Sequence, residues 1–302
     1  MDITISVIIC TYNRATYIID ALTSLVNQSY NKDHFEVIIA DNNSTDSTET
    51  ICKEFISSHS EFHLKYYLEN NQGASFARNT GAQYASGKLL CFMDDDAIAE
   101  ENFLDNIWAF HVARPQIDSF GGRIIPRYIP IEPKWMSHYV SSLVGNFKYA
   151  DEITEFSANR YPLESNMIVT KKVFEEVGGF NTAIPGVKGT LRIGGEGKDF
   201  FFRIKQKGFK VFYVPNIVVH HVVEVEKLTK EYMYRVASGI GRGERQRIIP
   251  GGVSFLKKLI EYIFKLGASF VIGLYYILTG KVAKCLPVIQ FRIDVLKGFL
   301  ER

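Results

Sequence analysis

Leu89–Asp96 reads Leu-Leu-Cys-Phe-Met-Asp-Asp-Asp, five apolar residues running straight into three carboxylates. The apolar run has the length and continuity of a strand buried on both faces. Three like charges at its end are costly unless something neutralises them. A divalent cation does so through oxygen ligands. In open α/β sheets, ligands gather outside the carboxyl ends of the strands. The stretch therefore predicts both a parallel sheet and a metal-assisted site on its rim. A single Asp there would read as the N-cap of a helix starting near Glu100. Three in succession favour the metal.

Working outward, strands and helices alternate. Ile5–Cys10, Phe35–Ala40 and Leu64–Leu68 read as strands, and 16–28, 46–58 and 73–85 as helices, with Asp46 and Glu49 forming a helix-start pair. This is the pattern of βαβ units with helices on both faces of the sheet. Right-handed crossovers bring the strand ends to one rim. The rim loops are then Thr11-Tyr12-Asn13-Arg14, Asp41 to Asp46, and Asp94-Asp95-Asp96. Gly-x-Gly-x-x-Gly is absent after the first strand, which excludes a dinucleotide-binding turn there; Gly194-Gly195-Glu196-Gly197-Lys198 is followed by Asp199, so it is not a P-loop. From 119 to 225 the pattern is mixed. Strands are expected at 119–125, 167–169, 211–214 and 217–219, helices at 172–177 and 198–207, an extended proline-rich loop at 127–135, and no periodicity over 143–160.

With 46% hydrophobic and 23% charged residues, the chain can build an ordinary globular core. A net charge of +2 argues against a nucleic-acid binder. From Val253 to Arg302, eight Lys and Arg stand against three Asp and Glu, so the C-terminal tail is basic. It also holds an uncharged run from Leu266 to Gly280. A basic, aromatic, amphipathic tail fits an interfacial helix on an anionic membrane better than a span. Arg242, Arg245 and Arg247, just before it, read equally as a solvated loop or as contacts for phosphates. Cys10, Cys52, Cys91 and Cys285 follow no metal-ligand spacing and read as thiols of a reducing compartment. The N-terminus enters the first strand at once, without the features of a signal peptide.

Four blocks together resemble family 2 glycosyltransferases: Ser6 to Arg14, Asp41 to Asp46, Asn71-Gln72-Gly73 with Ala77-Arg78-Asn79 and Gly81, and Asp94-Asp95-Asp96. Their order and spacing fit, and the resemblance covers roughly residues 3 to 225. It implies a GT-A fold: an α/β nucleotide-sugar half over 1–105, an acceptor half over 106–225, and a helical membrane-associating tail over 226–302. It also implies roles. Thr11 and Asp41 would contact the base, and Asp41 can accept from an imide N–H such as that of uracil. Asn13, Arg14, Asn43 and Asp94 would line the donor site. Arg78 would face the diphosphate, or pair with Asp41 or Asp94. Asp95 would lie by the ribose and Asp96 would hold the metal. Glu196 and then Asp199 are candidate bases, because the family's usual Asp falls here on Gly197. His221, six residues after Pro215, would complete the metal shell or meet the diphosphate.

The sequence thus predicts a metal-dependent (Mn²⁺ or Mg²⁺), inverting transfer from a UDP-sugar to a glycan or lipid-linked acceptor, on the cytosolic face of a membrane and with no nucleic-acid partner. Cell-surface polysaccharide synthesis is the context that the resemblance suggests. The alternatives are a sugar nucleotidyltransferase, disfavoured by the first rim loop, and an inactive binding or scaffold protein, favoured only by Gly197.

Overall fold

The computed structural model describes residues 2–188, 191–248 and 252–301. The chain divides into two compact units. One comprises Met1–Ile125, Phe147–Pro185 and Glu196–His221; the other comprises Pro126–Asn146, Gly186–Gly195 and Val222–Arg302.

The first unit is built from the alternating half. It runs β1 (Ile5–Thr11), α1 (Ile18–Val26), β2 (Phe35–Asp41), α2 (Thr48–Ser58), β3 (Leu64–Leu68), α3 (Ala74–Tyr84) and β4 (Leu89–Asp94). Then follow β5 (Ala97–Ala99), α4 (Phe103–Ala113), β6 (Ser119–Tyr128), β7 (Thr154–Glu155), β8 (Asn166–Thr170) and α5 (Lys171–Val177). With β11 (Phe212–Val223) closing the set, the sheet order is β3-β2-β1-β4-β8-β6-β11-β5, and β7 pairs β11. Strands β3, β2, β1 and β4 are parallel, while β8 is antiparallel to both β4 and β6. Side chains of β1 alternate between two cores. Ile5, Val7 and Ile9 join one, and Ile8 the other. In α1, Ile18, Ala21, Leu22 and Leu25 recur at helical spacing and bury against the first core. Phe200, Phe201 and Ile204 of α6 (Glu196–Gln206) enter the second.

Four local readings are corrected. Asp46 does not cap α2 as part of a box with Glu49. It lies two residues ahead of the helix and accepts from Thr48 N at 3.0 Å and Thr48 Oγ1 at 2.5 Å, while Glu49 pairs with Lys53. The helix expected from near Glu100 starts later, because β5 intervenes and α4 begins after Asn102; none of the three clustered carboxylates caps it, in line with the preference for a metal. The two short strands expected at 211–214 and 217–219 are one strand, β11 (Phe212–Val223). Pro215 lies between the residues that pair with β7 and those that pair with β5, where a missing N–H costs least. The stretch 143–160 is not featureless: it contributes β7 and an antiparallel bridge from Phe147 to Ile124.

The second unit holds β9 (Gly186–Lys188) and β10 (Leu191–Ile193), which pair antiparallel, and three helices: α7 (Lys230–Gln246), α8 (Val253–Leu278) and α9 (Cys285–Leu300). Its core includes Met136, Val140, Val236, Tyr262, Val288 and Phe299. The arginine run is helical rather than a loop. A Cβ on Gly241 would stand 2.1 Å from Val295 O, so glycine lets α7 lie directly on α9. Arg242 pairs with Glu301, Arg247 with Glu244, and Arg245 stands over the Phe255 ring at 4.8 Å, so all three arginines are engaged within the protein.

Candidate active site

Register assembles the rim. Thr11 pairs with Asp41 and Cys10 with Asp94, so three parallel strands end side by side. Asp41 is 1% exposed and heavily used: Oδ1 accepts from Ser44 N at 2.9 Å and Ser44 Oγ at 2.6 Å, and Oδ2 from Tyr66 OH at 2.7 Å. A carboxylate offers about four acceptor positions, so three bonds leave room for one more. Tyr66 has no signal in the motif; its place beside Asp41 follows from the pairing of β2 with β3. Asn13 and Asn43 both adopt positive φ, 53° and 64°, where Asn is tolerated. Asn13 Oδ1 accepts from Thr45 N at 2.7 Å and Asp46 N at 3.3 Å, and Asn13 N donates to Ser44 Oγ at 2.9 Å. These two loops therefore form one braced wall.

Asp94 ends β4, and Asp95 and Asp96 form the tight turn into β5. Antiparallel pairing sets His221 opposite Ala97, one residue beyond Asp96. His221 Nδ1 consequently lies 3.4 Å from Asp96 Oδ1. One ligand atom from each of Asp94, Asp96 and His221 falls within 4.8 Å of the others. Two carboxylates and an imidazole suit a divalent cation such as Mn²⁺. Arg14 reaches the same turn, with Nε 3.6 Å from Asp95 Oδ1 and Nη2 3.4 Å from Asp96 Oδ2. Burial pushes the Asp95 carboxyl up to about 7, helped by Asp96 and Asp94 and opposed by Arg14 and the Thr11 hydroxyl.

Arg78, on α3, is 7% exposed, and its ion-pair partner is neither Asp41 nor Asp94, the alternative to a diphosphate contact. Its Nη1 meets Glu196 Oε1 at 3.2 Å, at the start of α6, and its guanidinium stands over the Phe180 ring. Burial works against the charge of Arg78, but Glu196 and Glu164 together raise its pKa. Glu164 was missed in the sequence because it lies in an irregular loop outside every motif. Its carboxyl is raised by burial and by Glu196, against the pull of Arg78. Asp199 stands apart from this cluster in function: it holds Arg203 Nε at 2.9 Å, and Arg203 in turn donates to Val177 O and Gly179 O. The arrangement offers an oxygen-rich cation site, a buried guanidinium and a neighbouring pair of carboxylates.

Residues 6–178 match the family model for Glycosyl transferase family 2. The dolichyl N-acetyl-alpha-D-glucosaminyl phosphate 3-beta-D-2,3-diacetamido-2,3-dideoxy-beta-D-glucuronosyltransferase of Methanococcus voltae is 28% identical over 251 residues, covering 78% of this chain and 73% of that protein. The glucosyl-dolichyl phosphate glucuronosyltransferase of Haloferax volcanii is 24% identical over 249 residues, covering 81% and 77%. Among solved structures, the mannosyltransferase PcManGT of Pyrobaculum calidifontis, in complex with GDP-Man and Mn²⁺, superposes with a TM-score of 0.65 at 17% identity over 98% of this chain and 88% of that one. That likeness carries the GT-A fold. With more than half of its length matched by the family model, the chain belongs to glycosyl transferase family 2 and is a glycosyltransferase.

Proposed function

We propose that the protein transfers a sugar from a UDP-sugar to a hydroxyl of a lipid-linked saccharide, with inversion and with a divalent cation. The observation that carries the reading is the convergence of Asp94, Asp96 and His221 beside the ends of β1 and β2. A cation held there would stabilise the negative charge that develops on the departing diphosphate. The chain's own residues supply the rest. Thr11 and Asp41 floor the base pocket, and the remaining acceptor position of Asp41 suits the uracil imide. Asn13 and Asn43 set the two loops around it, and Asp95 is the ribose contact. Arg14 and Arg78 supply the positive charge that a diphosphate needs. Glu196 fixes Arg78 by their ion pair.

The lipid-linked acceptor is supported by the named acceptors of the two archaeal relatives. Membrane attachment is supported by α8, a 26-residue helix of mean hydropathy 1.4 that is long and apolar enough to cross a membrane. We favour its lying on the surface. All four cysteines are free, which fits the cytosolic face.

Calorimetric titration of UDP with and without Mn²⁺ tests the donor reading. Wild type should bind UDP in the micromolar range only with the ion, and Asp96→Ala, which removes a group that would touch the ion directly, should lose at least about tenfold. Tighter binding of GDP than UDP would refute the UDP assignment. Equal binding by Asp96→Ala would refute the metal site.

A further inference from the structure

Glu164 comes from the loop that leads into β8, yet its carboxyl ends up at the first turn of α6. The Gly197 amide donates to Glu164 Oε1 at 2.9 Å. A Cβ on residue 197 would stand 2.1 Å from that same oxygen and 2.5 Å from Glu164 Cδ. Glu164 and a side chain at 197 therefore compete for one space. The acidic block Gly194 to Asp199 has glycine at that position, and the carboxylate that fills it arrives from elsewhere in the chain.

The other acidic groups nearby are already engaged. Glu196 Oε1 is held by Arg78 at 3.2 Å, and Asp199 by Arg203 at 2.9 Å. Through the Gly197 amide Glu164 sits one residue from Glu196, and both carboxylates raise the pKa of Arg78. With Glu196 in contact with the buried Arg78 guanidinium and Glu164 close by, the neighbourhood carries an excess of negative charge. Such a charge is best relieved by taking up a proton.

We propose that Glu164, rather than Glu196 or Asp199, is the general base of the sugar transfer; the proposal rests on the glycosyltransferase reading above. The acceptor hydroxyl gives its proton to a Glu164 carboxylate oxygen. The freed electron pair forms the bond from the acceptor oxygen to the anomeric carbon. The bond from that carbon to the β-phosphate oxygen breaks, and its pair leaves on the nucleoside diphosphate. Glu164 then returns the proton to water. Glu196 is a positioning residue that orients Arg78. Burial and Glu196 raise the Glu164 carboxyl, against Arg78, and so make it a stronger base than an exposed glutamate.

A purely structural role is the competing account: Glu164 could simply satisfy an N–H at the start of α6. Glu164→Gln separates the two, because an amide oxygen still accepts from Gly197 N but cannot take a proton. The 302-residue chain with Mn²⁺ is assayed for release of UDP or GDP from UDP-glucose, UDP-N-acetylglucosamine, UDP-glucuronate and GDP-mannose, with water as acceptor. For the donor that wild type turns over, Glu164→Gln should lower kcat by about 100-fold or more. Its nucleotide affinity and melting temperature should stay at the wild-type level. Moving the carboxylate back, in the double variant Glu164→Gly with Gly197→Asp, should recover at least about tenfold over Glu164→Gln. A Glu164→Gln enzyme within about threefold of wild type would overturn the proposal. Wild type that binds none of the four nucleotides brings down the donor reading and the proposal together. Wild-type binding with an active Glu164→Gln brings down the proposal alone.

Discussion

At the scale of single residues, Glu36 offers a test free of the catalytic chemistry. It is 1% exposed and accepts from Ser6 Oγ at 2.6 Å, Ser86 N at 2.6 Å, Ser86 Oγ at 2.7 Å and Lys65 Nζ at 2.7 Å. Burial alone would raise its pKa, but these four donors reverse the sign and hold it below the ordinary 4.5. A group whose folded pKa is depressed stabilises the fold fully above the unfolded value and loses that contribution as pH falls through the folded one. Melting temperature should therefore drop steeply below pH 4.5. In Glu36→Gln, melting should be lower at neutral pH and flatter across the acid range; an unchanged acid slope would refute the account. Residues of this kind also mark the limit of what the sequence made legible. Asp41, Arg78, Asp96 and His221 could be named because each sits at a fixed offset within a motif. Glu164 and Tyr66 could not, since their partners are neighbours in space only. The departure at Gly197 was visible, but its compensation from Glu164 was not.

At the scale of elements, α8 is the most exposed apolar surface among the described residues. Ile260, Phe264, Val271, Leu274 and Leu278 are each more than half exposed along one helix. Its charges are largely settled internally: Lys258 reaches Glu261 at 2.8 Å and Glu244 at 3.6 Å, and Lys265 pairs with Glu261. Attachment should thus depend on apolar contact more than on attraction to anionic lipid. The protein should sediment with phosphatidylglycerol vesicles, and the pair Phe264→Glu and Val271→Glu should leave it in the supernatant. Sedimentation unchanged by that pair would remove α8 from the binding surface. The strands of the parallel half were readable to within a residue because each is a short, mostly apolar run, interrupted only by Ser6, Glu36 and Lys65, and bounded by polar loops. Pro215 and the glycines around α6 and α7 misled, because local propensity there yields to tertiary packing.

At the scale of the molecule, the mixed sheet explains why site residues, His221 included, could be named from sequence while the contacts that the antiparallel strands bring about could not. The parallel strands carry their functional residues at their own ends, where chain order and position in space coincide. The antiparallel strands β8 and β11 return to that rim from far along the chain, and their register is a tertiary fact. His221 meets Asp96 only when β11 has paired with β5. In the unfolded chain these ligands are scattered, so an ion that binds the cluster favours the folded state by mass action. At a Mn²⁺ concentration one hundred times its dissociation constant, the gain is about 2.7 kcal/mol. Melting temperature should climb with the logarithm of the Mn²⁺ concentration in wild type and stay level in His221→Ala; a climb that survives the substitution would mean the ion binds elsewhere. The closure of β11 onto β5 thereby couples the ion's chemical potential to the folding equilibrium, and heat alone can titrate the site with no sugar present.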